Sequence, residues 1–589
     1  MTSSRNNSSQ MKEILTHEDP EKNNEKPKNE KQCSIKESSG ASSSSSYSSS
    51  SGPGGSEDVR GAEAQAPGRM QREEGVCQLN DLKRFPQGEF HMGPLDCSRL
   101  HTVLINVDAF NCGKALTPWE GRDLWDSNFV KMPCSSFSTV PKPQLVKFNR
   151  PEQVQRWKLI SKELEALAGK KTASVDDVKK AILKYNPTYK EQWTFEALSR
   201  FVKIIPKAEN YFNELFPKIA ALALKLPEQI KKPIPLLQKG QSASITLSQV
   251  QISCLLANAF FCTFPHRNTS NPKAEYHNYP SINFSSLFAE WSERKVEKLR
   301  AIMHYFNVLT DEKTKPKGLV TFERRYLKDT DFPKWASCNE KLQKLHITSG
   351  GSIETEGTGM LQVDFAASRI GGGVLGSGLV QEEILFLMNP ELIVSRLFTE
   401  KLTDNECLII TGSQQFSRYS GFSNSFEWGG PYEDHLQRDE WDRLKRQILA
   451  IDALNFKHRM EQYSMRKITR ELNKAYCGFK DDRRHKEPDI ATGKWGCGAF
   501  NGDPQLKAVI QLMAAAKADR GLAYFTFKDE GLKTDLEQIY HLLVTEGVTV
   551  GKLYEVLNNY CDELRKTRGS HVELFDFIKK NVRQSRSNL

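Results

Sequence analysis

The distribution of hydrophobic and polar residues divides the chain into three parts. Residues 1–95 are almost entirely polar and include a serine-rich run at 42–51. Between about 150 and 310, apolar residues recur every three or four positions, which is the spacing of amphipathic helices. Beyond about 346, short apolar runs typical of strands alternate with segments of helical periodicity. The pattern predicts a disordered tail over 1–95, a mainly helical region over 96–345, and an α/β domain over 346–589.

Individual elements follow from the same pattern. The region 96–345 is predicted to hold a strand at 101–107 and helices at 151–168, 175–185, 195–205 and 247–261. Ser174 is the predicted N-cap of the second of these helices. The last part is predicted to hold strands at 360–365, 407–411, 448–454 and 522–527, with helices at 504–518, 535–546 and 551–564. Asn389 is expected to cap a helix that begins at Pro390. Strands and helices in alternation predict a three-layer α/β/α domain.

Composition changes this picture little, but it excludes several classes of protein. Hydrophobic residues make up 38% of the chain, which agrees with a long polar tail that cannot bury a core. The twelve cysteines form no C-x-x-C pair, so neither a zinc site nor a disulfide framework is expected. The longest apolar run, 252–264, is too short to span a bilayer, and the polar N-terminus predicts no signal peptide. The formal net charge of +10 suits a polyanionic partner but is also ordinary for a soluble protein.

The stretch from 363 to 383 carries the strongest chemical signal. An apolar run containing Asp364 predicts a buried strand, and five glycines follow within eight residues at 371, 372, 373, 376 and 378. Gln381, Glu382 and Glu383 then open a helical segment. A strand, a glycine loop and a helix can bring backbone N–H groups against a phosphate. The residues alone leave open a tight turn followed by a solvated helix start, since acidic residues suit a first helical turn.

Two familiar nucleotide motifs do not account for the stretch. The spacing lacks the lysine and hydroxyl residue of a P-loop, and G-x-G-x-x-G at 371–376 is a weak signal by itself. A dinucleotide-dependent oxidoreductase also needs an acidic ribose reader at the end of a second strand, about 20 residues further on. The region 391–400 has a helical pattern instead, so we discard this class.

The sequence GGGVLGSGLVQEE resembles the signature of the poly(ADP-ribose) glycohydrolases. The flanking LQVDFA, NPEL and SRLF agree with it, and GKWGCGAF at 493–500 is similar to a second phosphate loop of that family. The likeness extends from about residue 96 past residue 560. It implies a macrodomain-like catalytic domain with a helical accessory region, which we expect to brace the catalytic domain. It also implies hydrolysis of the ribose–ribose O-glycosidic bond of poly(ADP-ribose), with no cofactor and no metal.

The resemblance also assigns roles to the acidic residues. Glu383 corresponds to the catalytic acid/base, Glu382 to the residue that orients ribose hydroxyls, and Asp364 to a third essential acidic residue that positions the site. Consecutive helical residues project about 100° apart, so Glu382 and Glu383 cannot stand on opposite faces of one sugar as a usual glycosidase pair does. For Asp364 the residues alone leave open a loop-ordering role.

The remaining candidate residues are carried over as substrate contacts. Two backbone loops are implied to hold the phosphates, Gly371–Gly373 and the loop formed by Lys494, Trp495, Gly496, Cys497, Gly498 and Ala499. Implied contacts to adenine and ribose come from Ile353, Glu354, Gln381, Phe422, Phe500 and Phe527. This chain departs from the family at two of its positions, since Phe422 replaces a common tyrosine and Ala367 a common asparagine. Taken singly, an aromatic residue at a strand end is more often part of the core.

Two other functions stay open at this point. A macrodomain can hold ADP-ribose without hydrolysing it, although a reader has no need of adjacent carboxylates at the distal ribose. A hydrolase can instead remove single ADP-ribose units from proteins. The expected partners are poly(ADP-ribose) and poly(ADP-ribosyl)ated proteins, with no membrane and no sequence-specific nucleic acid. A monomer found in nucleus and cytoplasm, with a role in the DNA damage response, is the accompanying expectation.

Overall fold

A nine-stranded mixed sheet forms the centre of the computed structural model, which describes residues 76–85, 92–147, 150–481, 487–567 and 572–587. The strands of these residues are β1 His101–Val103, β2 Thr139–Lys147, β3 Arg150–Gln155, β4 Ala243–Ser248, β5 Leu319–Tyr326, β6 Leu345–Thr348, β7 Leu361–Ala366, β8 Glu406–Thr411, β9 Ser417–Ser420, β10 Glu427–Pro431, β11 Gln447–Asp452, β12 Ile490–Gly493 and β13 Leu522–Phe525. β2 pairs with β3, and β9 pairs with β10, as two separate hairpins.

The order of the strands places β7 inside the sheet. The sequence across it is β1-β4-β5-β8-β11-β7-β12-β13-β6. The five strands from β11 to β6 are parallel, so their carboxyl ends meet at one edge. β4, β5, β8 and β11 pair antiparallel to one another. β12 pairs with β7 only as far as Gln362, so the end of β7 is open on that side. Ligands bind at such edges in open α/β sheets.

Helices cover both faces of the sheet. They are α1 Val107–Asn111, α2 Arg156–Ala168, α3 Val175–Tyr185, α4 Glu196–Ile204, α5 Phe212–Leu224, α6 Leu226–Gln229, α7 Gln249–Phe260, α8 Ser285–Phe288, α9 Glu293–Leu309, α10 Gln381–Met388, α11 Ser395–Phe398, α12 Met465–Phe479, α13 Pro504–Lys517, α14 Glu530–Thr545, α15 Val550–Lys566 and α16 Leu574–Ser587. One buried core joins the sheet to α2–α5, α7, α9 and α10. A second joins the opposite face to α12–α16. The predicted three-layer α/β/α arrangement is confirmed. None of the described helices is long and apolar enough to cross a bilayer.

The sheet crosses the predicted boundary at residue 345. β1, β4 and β5 come from the part predicted to be mainly helical, yet β5 pairs along its length with β8 of the α/β part. β5 was not predicted. Five of its residues are buried, so the alternation of polar and apolar residues along it is weak. The helical accessory region and the α/β domain therefore share one sheet.

Most predicted elements exist, with shifted ends. Ser174 caps α3, because its hydroxyl accepts the Asp177 N–H. The predicted helix at 151–168 begins at Arg156, since β3 occupies 150–155. β13 stops at Phe525, before two residues with positive φ. A short 3-10 helix begins at Pro390 with Asn389 at its N-cap position, as predicted. The predicted side-chain cap is absent, because Asn389 Nδ2 donates backwards to the Leu385 carbonyl and closes α10 instead.

The prediction of a tail that is disordered as far as residue 95 is also wrong for residues 76–85 and 92–95. Residues 1–75 and 86–91 lie outside the described residues. The Cys77 N–H donates to the Leu345 carbonyl at 2.9 Å, which ties the segment to edge strand β6. Leu82 is 1% exposed and packs with Ile353 in a small core. One buried leucine and a few backbone hydrogen bonds fix this segment to the α/β part. Amino-acid composition does not reveal such contacts.

Candidate active site

The acidic residues singled out in the sequence meet at the carboxyl edge of the parallel strands. Asp364 lies on β7, whose end leads into the glycine loop at 371–378. Glu382 and Glu383 occupy the first turn of α10, which packs against β7. All three side chains are buried. The strand–loop–helix arrangement expected from the sequence is present, and it brings the three carboxyl groups together.

The glycine loop holds both glutamates through its backbone. Glu382 accepts the Gly371 N–H at 2.6 Å and the Ala367 N–H at 2.8 Å. Glu383 accepts the Gly373 N–H at 2.8 Å and the Val380 N–H at 2.9 Å. Each carboxylate therefore has one backbone donor for each oxygen. Hydrogen bonds of this charge-assisted type fix the orientation of the carboxylates before any ligand enters.

Glycine is required where the loop passes these carboxylates. Gly371 and Gly372 have positive φ angles of 79° and 43°, which side chains rarely tolerate. A Cβ atom on Gly378 would lie 2.6 Å from Glu383 Oε1. The three predicted phosphate-binding N–H groups already have acceptors within the protein, because the Gly372 N–H donates to the Arg369 carbonyl at 3.2 Å. In this structure the loop orients the glutamates. Its binding of phosphate stays a prediction.

Two buried cations behind the loop were missed from the sequence. The Lys298 ammonium from α9 donates to the carbonyls of residues 373, 374 and 376 at 3.0–3.2 Å. The Arg396 guanidinium from α11 donates to the carbonyls of residues 370 and 372. Both side chains are buried. The available signal was a charged residue in an apolar pattern. Lys298 lies four residues before Ile302 on the buried face of its helix, and Arg396 lies two residues after Val394 and directly before Leu397.

Asp364 differs from the two glutamates because it lacks partners. Its side chain is 0% exposed, and neither carboxyl oxygen has a hydrogen-bond partner. Burial raises the pKa of Asp364 well above its usual range, and the charges of Glu383 and Glu354 raise it further. Burial likewise raises the pKa of Glu382, with Asp364 and Glu383 adding to the effect and its two backbone donors opposing it. The site thus favours carrying at least one proton, as crowded buried carboxyl groups require.

Gln381 and Ala367 support the end of β7. The Phe365 N–H donates to Gln381 Oε1 at 2.8 Å, and Gln381 Nε2 donates to the Val363 carbonyl at 3.3 Å. The amide side chain thereby replaces the strand partner that β12 ceases to provide. Ala367 contributes its N–H to Glu382, a contact that its replacement of asparagine leaves intact. Direct contacts of either residue with a substrate stay predictions.

The second predicted phosphate loop lies where β12 ends at Gly493, on the same edge. Lys494 pairs with Asp529 at 3.2 Å, and Gly496 has a φ angle of 74°. The Trp495 indole is fully buried and donates to the Ile451 carbonyl, with the Lys507 ammonium 4.0 Å above its ring. A substrate can therefore meet only the backbone of Trp495. Gly498 and Ala499 are exposed, whereas burial raises the pKa of the Cys497 thiol to about 12.

The predicted adenine contacts lie near the ends of β6 and β13. Ile353 is buried, Glu354 is half-buried, and burial raises the pKa of Glu354. Phe527 is 36% exposed with a φ angle of 53°, and its ring lies 6.4 Å from that of Phe365 in an edge-to-face arrangement. Phe500 is half-buried against the second core. Ile353 thus packs as core, while Phe527 presents a ring to the edge.

Phe422 stands apart on the β9–β10 hairpin. It is 54% exposed, which is unusual for a large apolar side chain, and no other aromatic ring of the described residues packs on it. The hairpin packs against α9 and α10, beside the helix that carries the glutamates. An exposed ring held on a hairpin next to a polar site is suited to stacking on a ligand. Among the described residues, no group of three or more histidine, cysteine, aspartate or glutamate side chains is arranged to hold a metal ion.

Comparisons with known proteins agree with this geometry. A family model described as "Poly (ADP-ribose) glycohydrolase (PARG), Macro domain fold" matches residues 332–534, and one described as its helical domain matches residues 206–324. Poly(ADP-ribose) glycohydrolase 1 of Arabidopsis thaliana is 31% identical over 454 residues, covering 63% of this chain and 82% of that protein. Probable poly(ADP-ribose) glycohydrolase 2 of the same plant is 31% identical, covering 64% and 84%. Poly(ADP-ribose) glycohydrolase 1 of Caenorhabditis elegans is 33% identical, covering 60% and 46%.

Proposed function

Because this chain belongs to the poly(ADP-ribose) glycohydrolase family, we propose that it hydrolyses the ribose–ribose O-glycosidic bonds of poly(ADP-ribose) and releases ADP-ribose. One observation carries the proposal. Glu382 and Glu383 form a buried, adjacent pair at the ligand-binding edge of the sheet, and each is held by two backbone N–H groups. A protein that only binds ADP-ribose has no use for two desolvated carboxylates fixed in this way.

Glu383 is the proposed general acid and base. Cleavage requires a proton on the departing ribose oxygen, and the attacking water must lose a proton as it bonds to the anomeric carbon. The protonated carboxyl of Glu383 gives its proton to the leaving oxygen, and the resulting carboxylate takes one from water, which restores the starting state. Glu383 is 6% exposed, compared with 2% for Glu382 and 0% for Asp364, so it is the most accessible of the three.

Glu382 and Asp364 are proposed to place the ribose. Both oxygens of Glu382 already accept backbone N–H groups, and a carboxylate oxygen can accept a second hydrogen bond from a ribose hydroxyl. Asp364 has unused acceptor capacity on both oxygens and is buried beside Glu382. Its charge, when present, raises the pKa of Glu382.

The experiment is turnover of labelled poly(ADP-ribose) by the wild-type protein and by two matched variants, Glu383→Gln and Glu382→Gln. In each variant an amide NH₂ replaces an oxygen that accepts a backbone N–H, so both should lose a similar amount of stability, about 1–3 kcal/mol. Glu383→Gln should abolish turnover, since loss of an acid/base group costs about 10²–10⁴-fold, while it still binds ADP-ribose calorimetrically. Near wild-type turnover by Glu383→Gln would refute the assignment.

The same assay, run also with a mono-ADP-ribosylated protein, separates the two competing functions. A protein that binds ADP-ribose but leaves the polymer intact is a reader, and one that releases ADP-ribose from a mono-ADP-ribosylated protein has the other hydrolase activity. We propose that poly(ADP-ribosyl)ated proteins are the physiological substrates, acted on in nucleus and cytoplasm during the DNA damage response. The cysteines of the described residues are all unpaired thiols, which supports a reducing compartment. Microscopy of a fluorescent fusion tests the location.

A further inference from the structure

Arg396 contacts the far side of the two peptide groups that hold the glutamates. Its Nη1 atom donates to the Ile370 carbonyl at 2.8 Å and to the Gly372 carbonyl at 3.0 Å. The N–H groups of these same two peptide units belong to Gly371 and Gly373. They donate to Glu382 at 2.6 Å and to Glu383 at 2.8 Å. One guanidinium nitrogen is therefore linked to both carboxylates, in each case through a single peptide unit.

The planarity of the peptide bond makes this link directional. In a trans peptide the C=O and N–H groups lie in one plane and point in opposite directions. A donor that fixes the carbonyl therefore also fixes the direction of the N–H. Because the donor here is a cation, the two hydrogen bonds are stronger than neutral ones and polarise the peptide toward the carboxylate. Rotation of either peptide would break both a bond to Arg396 and a bond to a glutamate.

Arg396 is itself held rigidly and is not available to a ligand. It is 4% exposed, and its Nε atom donates to the Ser281 carbonyl at 2.9 Å. The neighbouring Arg267 donates to the Arg396 carbonyl at 2.8 Å and fixes its backbone. A Cβ atom at residue 371 would lie 2.9 Å from Nη1, so the approach of the guanidinium depends on glycine there. Burial lowers the pKa of Arg396 to about 10, and both glutamates oppose the shift, so the side chain is charged at neutral pH.

We propose that Arg396 is a positioning residue for the hydrolytic reaction, acting on Glu382 and Glu383 through the two peptide groups of the glycine loop. The inference rests on the proposed function. It names a residue other than Asp364, Glu382 and Glu383 on which the rate of hydrolysis depends. Lys298 holds the carbonyls of residues 373, 374 and 376, none of which belongs to a peptide group whose N–H reaches a glutamate. Its removal is expected to loosen the loop, with a smaller effect on kcat.

The test compares Arg396→Gln and Arg396→Lys with Arg520→Gln. Arg520 is an equally buried arginine that lies just before β13, at the opposite edge of the sheet. Its guanidinium donates to the carbonyls of Phe479 and Pro488. Loss of either arginine should lower the melting temperature. Only Arg396→Gln should also lower kcat, by about 10²-fold, because small displacements of catalytic groups have effects of that size. KM and the calorimetric affinity for ADP-ribose should change much less than kcat.

Arg396→Lys keeps a charged donor within reach of the same carbonyls and should recover part of the lost kcat. Each variant is assayed with poly(ADP-ribose) at a temperature where circular dichroism shows it folded. Equal kcat values for folded Arg396→Gln and Arg520→Gln would overturn the inference, and so would an Arg396→Lys variant no better than Arg396→Gln. Both failures require an active wild-type enzyme, so they differ from a failure of the proposed function, in which the wild type leaves the polymer intact.

Discussion

Replacing Asp364 with asparagine should stabilise the protein while impairing hydrolysis. The aspartate is fully buried on β7, both its oxygens lack hydrogen-bond partners, and Glu382 and Glu383 lie beside it. A buried polar group left unpaired costs about 1–3 kcal/mol, and more if it is charged. Asparagine has nearly the same shape, carries no charge, and can donate to a neighbouring carboxylate. Strain of this kind persists in proteins where function requires it.

The sign of the effect with pH follows from linkage. The folded-state pKa of Asp364 is raised well above its ordinary value, so between the two pKa values the folded protein binds a proton that the unfolded chain does not. The contribution of Asp364 to stability is therefore fully present below the unfolded pKa and is lost as pH rises toward the folded pKa. Asparagine does not titrate. The advantage of Asp364→Asn should thus widen from pH 5 to pH 8 and reach about 1–3 kcal/mol.

Urea unfolding of both proteins at pH 5, 6, 7 and 8 measures this difference. Asp452 provides a matched control at the end of the neighbouring strand β11, since it is also buried but is paired with Lys474 at 2.6 Å and Arg470 at 3.0 Å. Asp452→Asn removes a paired charge and should destabilise the protein. If Asp364→Asn is less stable than wild type at pH 8, or if the gap between them does not depend on pH, the reasoning about an unpaired buried carboxyl is wrong.

Three further expectations are simpler to test. A chain that starts at Glu74 should match the full chain in polymer turnover. A chain that starts at Asp96 should be less stable by at least about 2 kcal/mol, because it loses buried Leu82. Equal melting temperatures of the two truncated chains would contradict this. Phe422→Ala should weaken ADP-ribose binding by on the order of 1 kcal/mol with little change in kcat, and unchanged product inhibition would count against stacking. Burial lowers the pKa of Lys298 from 10.5 to about 7, so the unfolded chain binds more protons than the folded protein between these pH values. The wild type should therefore gain stability relative to Lys298→Met as pH rises from 7 to 10. The same pH dependence of stability in both proteins would contradict this.

The sequence by itself identified the acidic residues that meet at the edge of the sheet and most of the architecture. Runs of adjacent residues, such as the glycines at 371–378 followed by Glu382 and Glu383, fix a local geometry that needs little tertiary context. Helical periodicity located α3, α7 and α13 because each buries one face or lies wholly in the core. The three-layer arrangement followed from the alternation of strands and helices. These features are encoded over short distances along the chain.

Tertiary structure decided which backbone groups meet which side chains. Two of the three glycine N–H groups predicted to bind phosphate, those of Gly371 and Gly373, are directed at the glutamates instead, and Arg396 from α11 holds the carbonyls of the same two peptide groups. Contacts between distant residues also decided β5, which joins the sheet by pairing with β8, and the segment at 76–85, which is held by single backbone hydrogen bonds. The sequence does not show which partner a given backbone N–H or C=O group will have. A lysine in an apolar pattern does mark burial, but only packing of the folded chain decides which carbonyls its ammonium will hold.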